Sequence, residues 1–235
     1  MAEGRKIDDL TVVNVLDHGF VRLVDYMGSD LSVVRAARVS YNAAWRAGED
    51  EKSDEKLIRY LWKNHHTTPF EAVQFTFEVK APIFVFRQWH RHRTWSYNEL
   101  SARYRELPEE FYVPKAEHVG IQSTDNKQAR VILAGNTVDT ETSVEMIEVA
   151  CTNAFVMYRK LLARGCPREL ARSVLPVATY SHMFASVNLL NLLKFLTLRS
   201  HPHAQYEIRV YAEAMKRLAS TVAPVCLSAW QESNV

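Results

Sequence analysis

The residues between Arg87 and Arg103 carry the most unusual combination of side chains in this sequence. They include four arginines, two histidines, two tryptophans, one tyrosine and one glutamate. An ordinary helix or strand does not need this mixture. Guanidinium groups pair with phosphates and stack on flat rings, so the stretch is typical of a site for a ligand with several negative charges and an aromatic ring.

Arg91, His92 and Arg93 are consecutive within this stretch. They point in different directions whether the chain is helical or extended, so they can surround an extended ligand but cannot line one surface. The His-x-His pair that ends at His92 is also compatible with a metal site, but no cluster of carboxylates or cysteines lies nearby to complete a coordination shell. A metal-dependent nucleotide hydrolase is therefore an alternative and not the preferred interpretation.

Glu99, Ser101 and Arg103 occupy every second position, so in an extended segment they present an acceptor, a hydroxyl and a guanidinium to one edge of a ligand. This set indicates a nucleotide, with arginine and serine on the phosphate and glutamate on a ring or ribose donor. The main alternative is a basic and aromatic module that binds single-stranded nucleic acid. The net charge of only +2 gives no general basic field, so we expect no nucleic-acid partner.

Composition favours one soluble globular domain over residues 1–235. Apolar residues make up 47% of the chain and charged residues 24%, and a chain of this length buries a core without cross-links. The three cysteines form no C-x-x-C pair, which argues against a disulfide framework and fits the cytoplasm. We expect neither a signal peptide nor a membrane partner, because no apolar segment follows Met1–Lys6 and no apolar run approaches membrane length.

Hydrophobic periodicity predicts an α+β fold, with a mixed or antiparallel sheet and several helices. Strands are predicted at Thr11–Leu16, Gly19–Val24, Val73–Ala81 and Val177–Val187, with a hairpin turn at Asp17–Gly19. Helices are predicted at Asp30–Ser40 with Asp30 as the cap, at Glu55–Asn64, from Pro82 to Trp89, at Ser143–Arg164, at Pro167–Pro176, at Asn188–Arg199 and at Ala204–Val222. Lys115–Asn136 lacks periodicity and is predicted to be a loop.

Thr68 and Glu71 allow two interpretations. Their spacing matches a capping box, with Pro69 at the first helical position, so they could simply begin a helix. A helix N-terminus also binds anions, so they could equally contact a ligand.

The segment Arg91-His92-Arg93 followed by Ser101 resembles the R-H-R-x(7)-S signature of the flavin-dependent thymidylate synthases. The resemblance extends over nearly the whole chain, and the ordered set of motifs is far more specific than three residues alone. The further matching segments are Ala36–Ser40, His66-x-Thr68-Pro-Phe-Glu71, Ala81–Val85, Phe111–Pro114, Pro167–Arg172, Leu198-Arg199 and His203-Ala-Gln-x-Glu207.

The resemblance implies an enzyme that makes dTMP from dUMP. In this family the one-carbon unit comes from 5,10-methylenetetrahydrofolate and is reduced to methyl by FADH2, which NADPH regenerates. It also implies a homotetramer whose sites are shared between subunits. The resemblance assigns dUMP binding to Gln88, Arg91, Glu99, Leu100, Ser101, Ala102, Arg103, Arg172 and Arg199, and FAD binding to Ser40, His66, Thr68, Arg91, His92, Arg93, Glu99, Asn188 and Lys194.

Arg199 matches the arginine that polarises the uracil ring in the family, and it is the candidate catalytic residue. Helical spacing puts it on one face with Asn188, so one helix could present both to the site. Taken alone, Arg199 is better explained as a basic residue that faces the helix dipole at a C-terminus. Ser101 is a less favoured nucleophile, because the sequence assigns no base to activate it.

Two positions depart from the family pattern. Leu190 stands where an arginine is common, and Lys194 stands where asparagine or histidine is common. The first change removes one expected FAD contact. We expect Lys194 to offer a phosphate contact in its place, whereas the segment Val119–Thr142 receives no function.

Overall fold

A five-stranded antiparallel sheet lies at the centre of the computed structural model, which describes residues 12–132 and 139–233. Its strand order is β1-β2-β3-β7-β4, and β5 and β6 form a separate small hairpin. The strands are β1 (Val12–Val15), β2 (Gly19–Met27), β3 (Gln74–Pro82), β4 (Ser96–Glu99), β5 (Ile121–Gln122), β6 (Arg130–Val131) and β7 (Tyr180–Asn188). The predicted α+β class with an antiparallel sheet is confirmed.

Several helices pack against this sheet. The helices are α1 (Asp30–Arg38), α2 (Glu51–Lys63), α3 (Ile83–Trp89), α4 (Thr140–Ala163), α5 (Arg168–Ala171), α6 (Leu189–Arg199), α7 (Tyr206–Ala219) and α8 (Pro224–Glu232). Helix α7 packs against β1, β2, α3 and α6. No helix in the described ranges has both the length and the apolar character needed to cross a bilayer.

Strand β3 shows why the chain alternates between apolar and polar residues here. Phe75, Phe77 and Val79 are buried in the core, whereas Glu78 and Lys80 lie on the partly exposed face. Each buried side chain of this size contributes about 1.5–3 kcal/mol through removal of apolar surface from water. The predicted strand Val73–Ala81 is displaced by one residue at each end.

The predicted hairpin turn at Asp17–Gly19 is confirmed between β1 and β2. Gly19 is required there by close packing. A Cβ atom at this position would lie 2.7 Å from the carbonyl oxygen of Val15 and 2.8 Å from that of Lys80.

The predicted cap of α1 is wrong, because Ser29 is its N-cap and Asp30 is the first helical residue. The carboxylate of Asp30 instead accepts hydrogen bonds from the backbone N–H groups of Val225 and Cys226, at 3.0 and 2.9 Å. These groups begin α8, a helix that the predicted single segment Ala204–Val222 did not include. A partner so distant in sequence leaves no local pattern.

Two other predicted segments also differ from the structure. Helix α2 begins at Glu51, four residues before the predicted start, because the side chain of Asp50 accepts from the N–H groups of Lys52 and Ser53. The predicted loop Lys115–Asn136 contains the β5–β6 hairpin and a 3₁₀ turn at Ala116–His118. Positions 133–136 of that loop, together with Met1–Lys6, lie outside the described residues.

Helix α4, predicted at Ser143–Arg164, spans Thr140–Ala163 and carries an apolar stripe at Val144, Ile147, Cys151, Phe155, Tyr158 and Leu162. Only the second half of the stripe is buried, at Cys151, Phe155 and Tyr158. Towards the N-terminus of the helix, Ile147 and other apolar side chains are exposed.

Candidate active site

Buried aromatic side chains hold the turn that carries Arg91, His92 and Arg93. The indole of Trp89, fully buried at the end of α3, stacks on Phe195 of α6 with ring centroids 4.9 Å apart. The hydroxyl of Tyr97 donates to the carbonyl of His92 at 2.9 Å and closes the turn. Burial raises the pKa of Tyr97, so this donor remains protonated at neutral pH.

Neither tryptophan of the stretch is placed to stack on a ligand ring. Trp89 and Trp95 are 0% and 6% exposed and belong to the core. They therefore position the arginines, and they offer no platform on which single-stranded nucleic acid could stack its bases.

Arg199 closes this site from the end of α6. Its Nε donates to Nε2 of His92 at 3.0 Å, and its Nη2 donates to the carbonyl of Gln88 at 3.2 Å. Burial and the neighbouring charge of Arg91 lower the pKa of Arg199, which nevertheless stays protonated because arginine titrates far above neutral pH. The structure thus brings Gln88, Arg91, His92 and Arg199 together.

His92 is neutral in this arrangement. Burial and the charge of Arg199 lower the pKa of His92 to about 4. Because its Nε2 accepts the hydrogen bond from Arg199, the ring proton resides on Nδ1. His92 therefore offers a neutral N–H donor to a ligand, whereas Arg91 and Arg93, both exposed, offer charge.

The predicted extended edge formed by Glu99, Ser101 and Arg103 is only partly correct. Glu99 ends β4, but Ser101 begins a turn in which its carbonyl accepts from Tyr104 N at 3.1 Å. The Ser101 hydroxyl accepts from the N–H of Arg103 at 3.3 Å, and this local bond competes with an extended backbone. The three side chains therefore do not follow the period of a strand.

The backbone around Glu99 is firmly positioned. Its Oε1 accepts from the hydroxyl of Ser181, a buried residue of β7, at 2.9 Å. The N–H of Leu100 donates to the carbonyl of His182 at 2.8 Å, and Ala102 is buried behind the turn. Glu99 itself remains exposed, with its carboxylate oriented by Ser181.

Arg103 and Arg172 meet at Glu169. Arg103 Nε lies 3.1 Å from Oε2 of Glu169, and Arg172 Nε donates to the carbonyl of Glu169 at 3.3 Å. Arg172 begins a 3₁₀ turn directly after α5. The exposed ion pair between Arg103 and the Glu169 carboxylate can exchange this carboxylate for a phosphate, with the exposed guanidinium of Arg172 beside it.

Ser40, His66 and Thr68 line a separate cavity of about 800 Å³ between α1 and α2. The capping-box explanation of Thr68 and Glu71 is wrong, because the 3₁₀ segment Thr68–Ala72 has Thr67 as its N-cap and no side-chain cap. The walls of the cavity also include the exposed ring of Tyr60. This ring contacts His66 edge-on, with ring centroids 5.9 Å apart.

Helix α6 does not bring Asn188 and Arg199 to one place. Asn188 is its N-cap, whose Oδ1 accepts from Asn191 N at 2.9 Å, and Arg199 lies at the other end. Eleven residues of helix span about 16 Å, so Asn188 and Arg199 can contact the same ligand only if that ligand extends over this distance. Lys194 is exposed, and Leu190 is 5% exposed in the core.

Sequence reasoning missed three positioning groups. Ser181 orients Glu99, and Glu169 contacts Arg103 and Arg172. Gln205 accepts a hydrogen bond from Nε2 of Gln88 at 2.6 Å. Glu169 and Gln205 lay inside noted motifs, so their position could have been suspected. Ser181 lies in a strand and carries no signal in the sequence.

Neither a metal cluster nor a reactive thiol is found at this site. Among residues 12–132 and 139–233, no group of three His, Cys, Asp or Glu side chains could hold a metal ion. Cys151 and Cys226 are buried, and burial raises the pKa of both thiols.

Several known proteins are similar to this chain. The family model described as "Thymidylate synthase complementing protein" matches residues 22–225. A protein named "Flavin-dependent thymidylate synthase" from Wolbachia pipientis is 48% identical over 221 residues, which cover 93% of this chain and 75% of the relative. One of the same name from Thermotoga neapolitana is 45% identical over 212 residues, covering 90% of each chain.

A solved structure shares the fold. The crystal structure of a UMP/dUMP methylase, PolB from Streptomyces cacaoi, bound with 5-Br dUMP, superimposes with a TM-score of 0.82 at 41% identity. The alignment covers 94% of this chain and 97% of that chain.

Proposed function

This chain belongs to the flavin-dependent thymidylate synthase family, and we propose that it converts dUMP to dTMP by reductive methylation with 5,10-methylenetetrahydrofolate, FAD and NADPH. Family membership supports the methylation of dUMP and the use of a flavin. The folate donor, the NADPH reductant and the individual residue roles are part of the proposal.

The arrangement around Arg199 is the observation that carries this proposal. A guanidinium has five N–H donors, and one is used by Nε2 of His92 and one by the carbonyl of Gln88. The remaining donors belong to a half-buried cation held in one orientation. Such a group stabilises negative charge that develops on a carbonyl oxygen of the uracil ring, because its donors need no reorganisation during the reaction.

The dUMP phosphate is proposed to bind at Arg103 and Arg172, where it displaces the side chain of Glu169. Ser101 supplies a hydroxyl, and the turn at Leu100 and Ala102 supplies backbone groups. Along the stretch, Glu99 and Arg91 lie between this phosphate site and Gln88, whose carbonyl contacts Arg199. A nucleotide laid along the stretch would therefore place its base towards Gln88 and Arg199.

The residues present also fit a flavin. Exposed Arg91 and Arg93 match the two phosphates of FAD, and the cavity lined by Ser40, His66 and Thr68, at about 800 Å³, falls in the size range of cofactor sites. Bound FAD in its reduced form supplies the hydride that converts the transferred one-carbon unit to a methyl group. Glu99, His92, Asn188 and Lys194 complete the proposed set of FAD contacts.

The proposed enzyme is a cytoplasmic homotetramer with shared sites. The exposed apolar side chains of α4, including Met146 and Val149, offer surface for subunit contacts. Its three free cysteines are compatible with a reducing compartment.

The reaction needs no protein thiolate at the ring. Cys151 and Cys226 are buried and have raised pKa values, so neither supplies a nucleophile to an outside ligand. Ser101 has no side-chain base bonded to it within the described chain, and its hydroxyl accepts from Arg103 N. We therefore assign Ser101 to binding and Arg199 to activation of the ring.

The proposal is tested with purified protein. The expected preparation is yellow, bleaches on anaerobic addition of NADPH, and forms dTMP from dUMP only when 5,10-methylenetetrahydrofolate is present. Omission of the folate is the matched control for dTMP formation. A colourless protein that cannot be reconstituted with FAD would falsify the proposal.

A further inference from the structure

The side-chain amide of Gln205 lies between the proposed uracil site and a buried carboxylate. Its Oε1 accepts a hydrogen bond from Nε2 of Gln88 at 2.6 Å. Its Nε2 donates to Oε2 of Glu207 at 2.8 Å. Gln205 therefore links the orientation of the Gln88 amide to that of the Glu207 carboxylate.

Glu207 is a fixed acceptor at the end of this chain of hydrogen bonds. It is 1% exposed and lies in the first turn of α7, where the helix dipole favours a negative charge. Its Oε1 accepts from the hydroxyl of Tyr112 at 3.1 Å and from Nη2 of Arg130 at 2.8 Å. Burial and the nearby Glu207 raise the pKa of Tyr112, so the tyrosine donates at neutral pH.

An ionised carboxylate cannot donate, so Gln205 must turn its NH₂ group towards Glu207 and its Oε1 towards Gln88. Gln88 in turn must present its own NH₂ group to Gln205. Within the described part of the chain, Oε1 of Gln88 accepts no protein hydrogen bond. An acceptor and a second N–H hydrogen thus remain for a ligand.

We propose that Glu207 and Gln205 are positioning residues that make Gln88 select uracil over cytosine. This inference rests on the proposed function, because it requires dUMP to bind beside Gln88. Uracil presents an N–H next to a carbonyl, which matches the fixed acceptor and donor of Gln88. Cytosine presents a ring nitrogen acceptor and an amino donor, which place acceptor against acceptor and donor against donor.

The fixed orientation matters because a free glutamine amide rotates to match either base. Loss of Gln205 leaves Gln88 free to rotate, so discrimination falls while the phosphate contacts persist. The exposed Gln205 is the N-cap residue of α7 but makes no side-chain cap, so its replacement by alanine removes no helix-capping bond.

The test compares dissociation constants for dUMP and dCMP, measured by calorimetry on the flavin-loaded protein. Gln205→Ala is expected to lower the preference for dUMP by about tenfold, the value of one hydrogen bond and its mismatch. Glu207→Gln, whose amide donates as well as accepts, is expected to change the preference in the same direction. Gln231→Ala on α8 is the matched control and keeps the wild-type ratio.

An unchanged ratio in Gln205→Ala overturns the inference, as does an equal loss of affinity for both nucleotides, which indicates a structural role only. Because Gln205 is exposed, the Gln205→Ala variant tests the inference even if Glu207→Gln fails to fold. Wild-type protein that binds no dUMP refutes the proposed function itself, so the two failures are distinguishable.

Discussion

The Nε atom of Arg199 donates a hydrogen bond to Nε2 of His92 at 3.0 Å. A histidine inside an arginine-rich turn is easily taken for a third positive charge. Here it is the acceptor of an arginine donor, so it contributes orientation instead of charge. This single contact joins the last residue of α6 to the turn after α3.

The neutral state of His92 predicts how stability changes with pH. Its pKa is about 4 in the folded protein, against 6.5 for an ordinary histidine. Above pH 6.5 the ring of His92 is neutral in both the folded and the unfolded protein, so the stabilisation is complete there. As the pH falls between these values, the unfolded chain binds a proton that the folded protein does not, and the free energy of unfolding decreases.

The expected decrease is about 1–2 kcal/mol, because partial exposure of His92 screens the effect. Urea unfolding of wild type and His92→Gln, from neutral pH to the lower pKa, measures it. Glutamine keeps an acceptor for Arg199 but does not titrate here. The free energy of unfolding of His92→Gln is therefore expected to decrease less steeply as the pH falls. Some slope persists, because burial and Lys80 also lower the pKa of His182. Equal slopes in the two proteins would contradict the assignment.

Replacement of Arg199 separates ring activation from flavin reduction. Arg199→Lys keeps the positive charge but cannot donate to both His92 and the Gln88 carbonyl while facing the uracil ring. We expect dTMP formation to fall by about a hundredfold or more, as for loss of an oriented donor. The rate at which NADPH reduces the bound flavin is expected to change little. Arg164→Lys, at the exposed end of α4, is the control and retains both rates.

The location of the site was predictable from the sequence, but much of its internal geometry was not. The types and spacing of Arg91, His92 and Arg93 indicated an anion site, and the structure brings Arg91 and His92 to Arg199. The direction of the Arg199–His92 bond depends on burial that only the folded chain produces. The turn at Ser101 depends on one local hydrogen bond that overrides the alternating pattern.

Long-range partners explain the other failures. Ser181 orients Glu99 across a strand pair. The carboxylate of Asp30 accepts a hydrogen bond from the N–H of Val225 at the start of α8, although the two residues are far apart in the sequence. Neither contact leaves a periodic or local signal. The strand β3 was predicted well because its alternation is set by burial on one face, which acts residue by residue.

The Glu169 carboxylate is predicted to compete with the dUMP phosphate for Arg103. Glu169→Gln removes the negative charge and is expected to tighten dUMP binding by about threefold, whereas Arg103→Gln is expected to weaken it by about tenfold or more. Thermal stability is expected to change little in both variants, because this ion pair is exposed. Calorimetric titration at two salt concentrations measures the affinities. Weaker binding by Glu169→Gln would mean that the carboxylate organises the arginines instead of competing.

Lys194 offers the final prediction, because it stands where the family pattern differs. It lies five residues before Arg199 on α6, and five residues rotate a helix by about 140°, so the two side chains leave the helix in different directions. Lys194→Ala is expected to lower FAD affinity by about fivefold through loss of one phosphate contact, with dUMP affinity unchanged. Flavin fluorescence on titration into the apoprotein measures the first, and calorimetry the second. Lys56→Ala, an equally exposed lysine on α2, controls for a general change in charge. Unaltered FAD affinity in Lys194→Ala would show that this lysine does not replace the missing contact at Leu190.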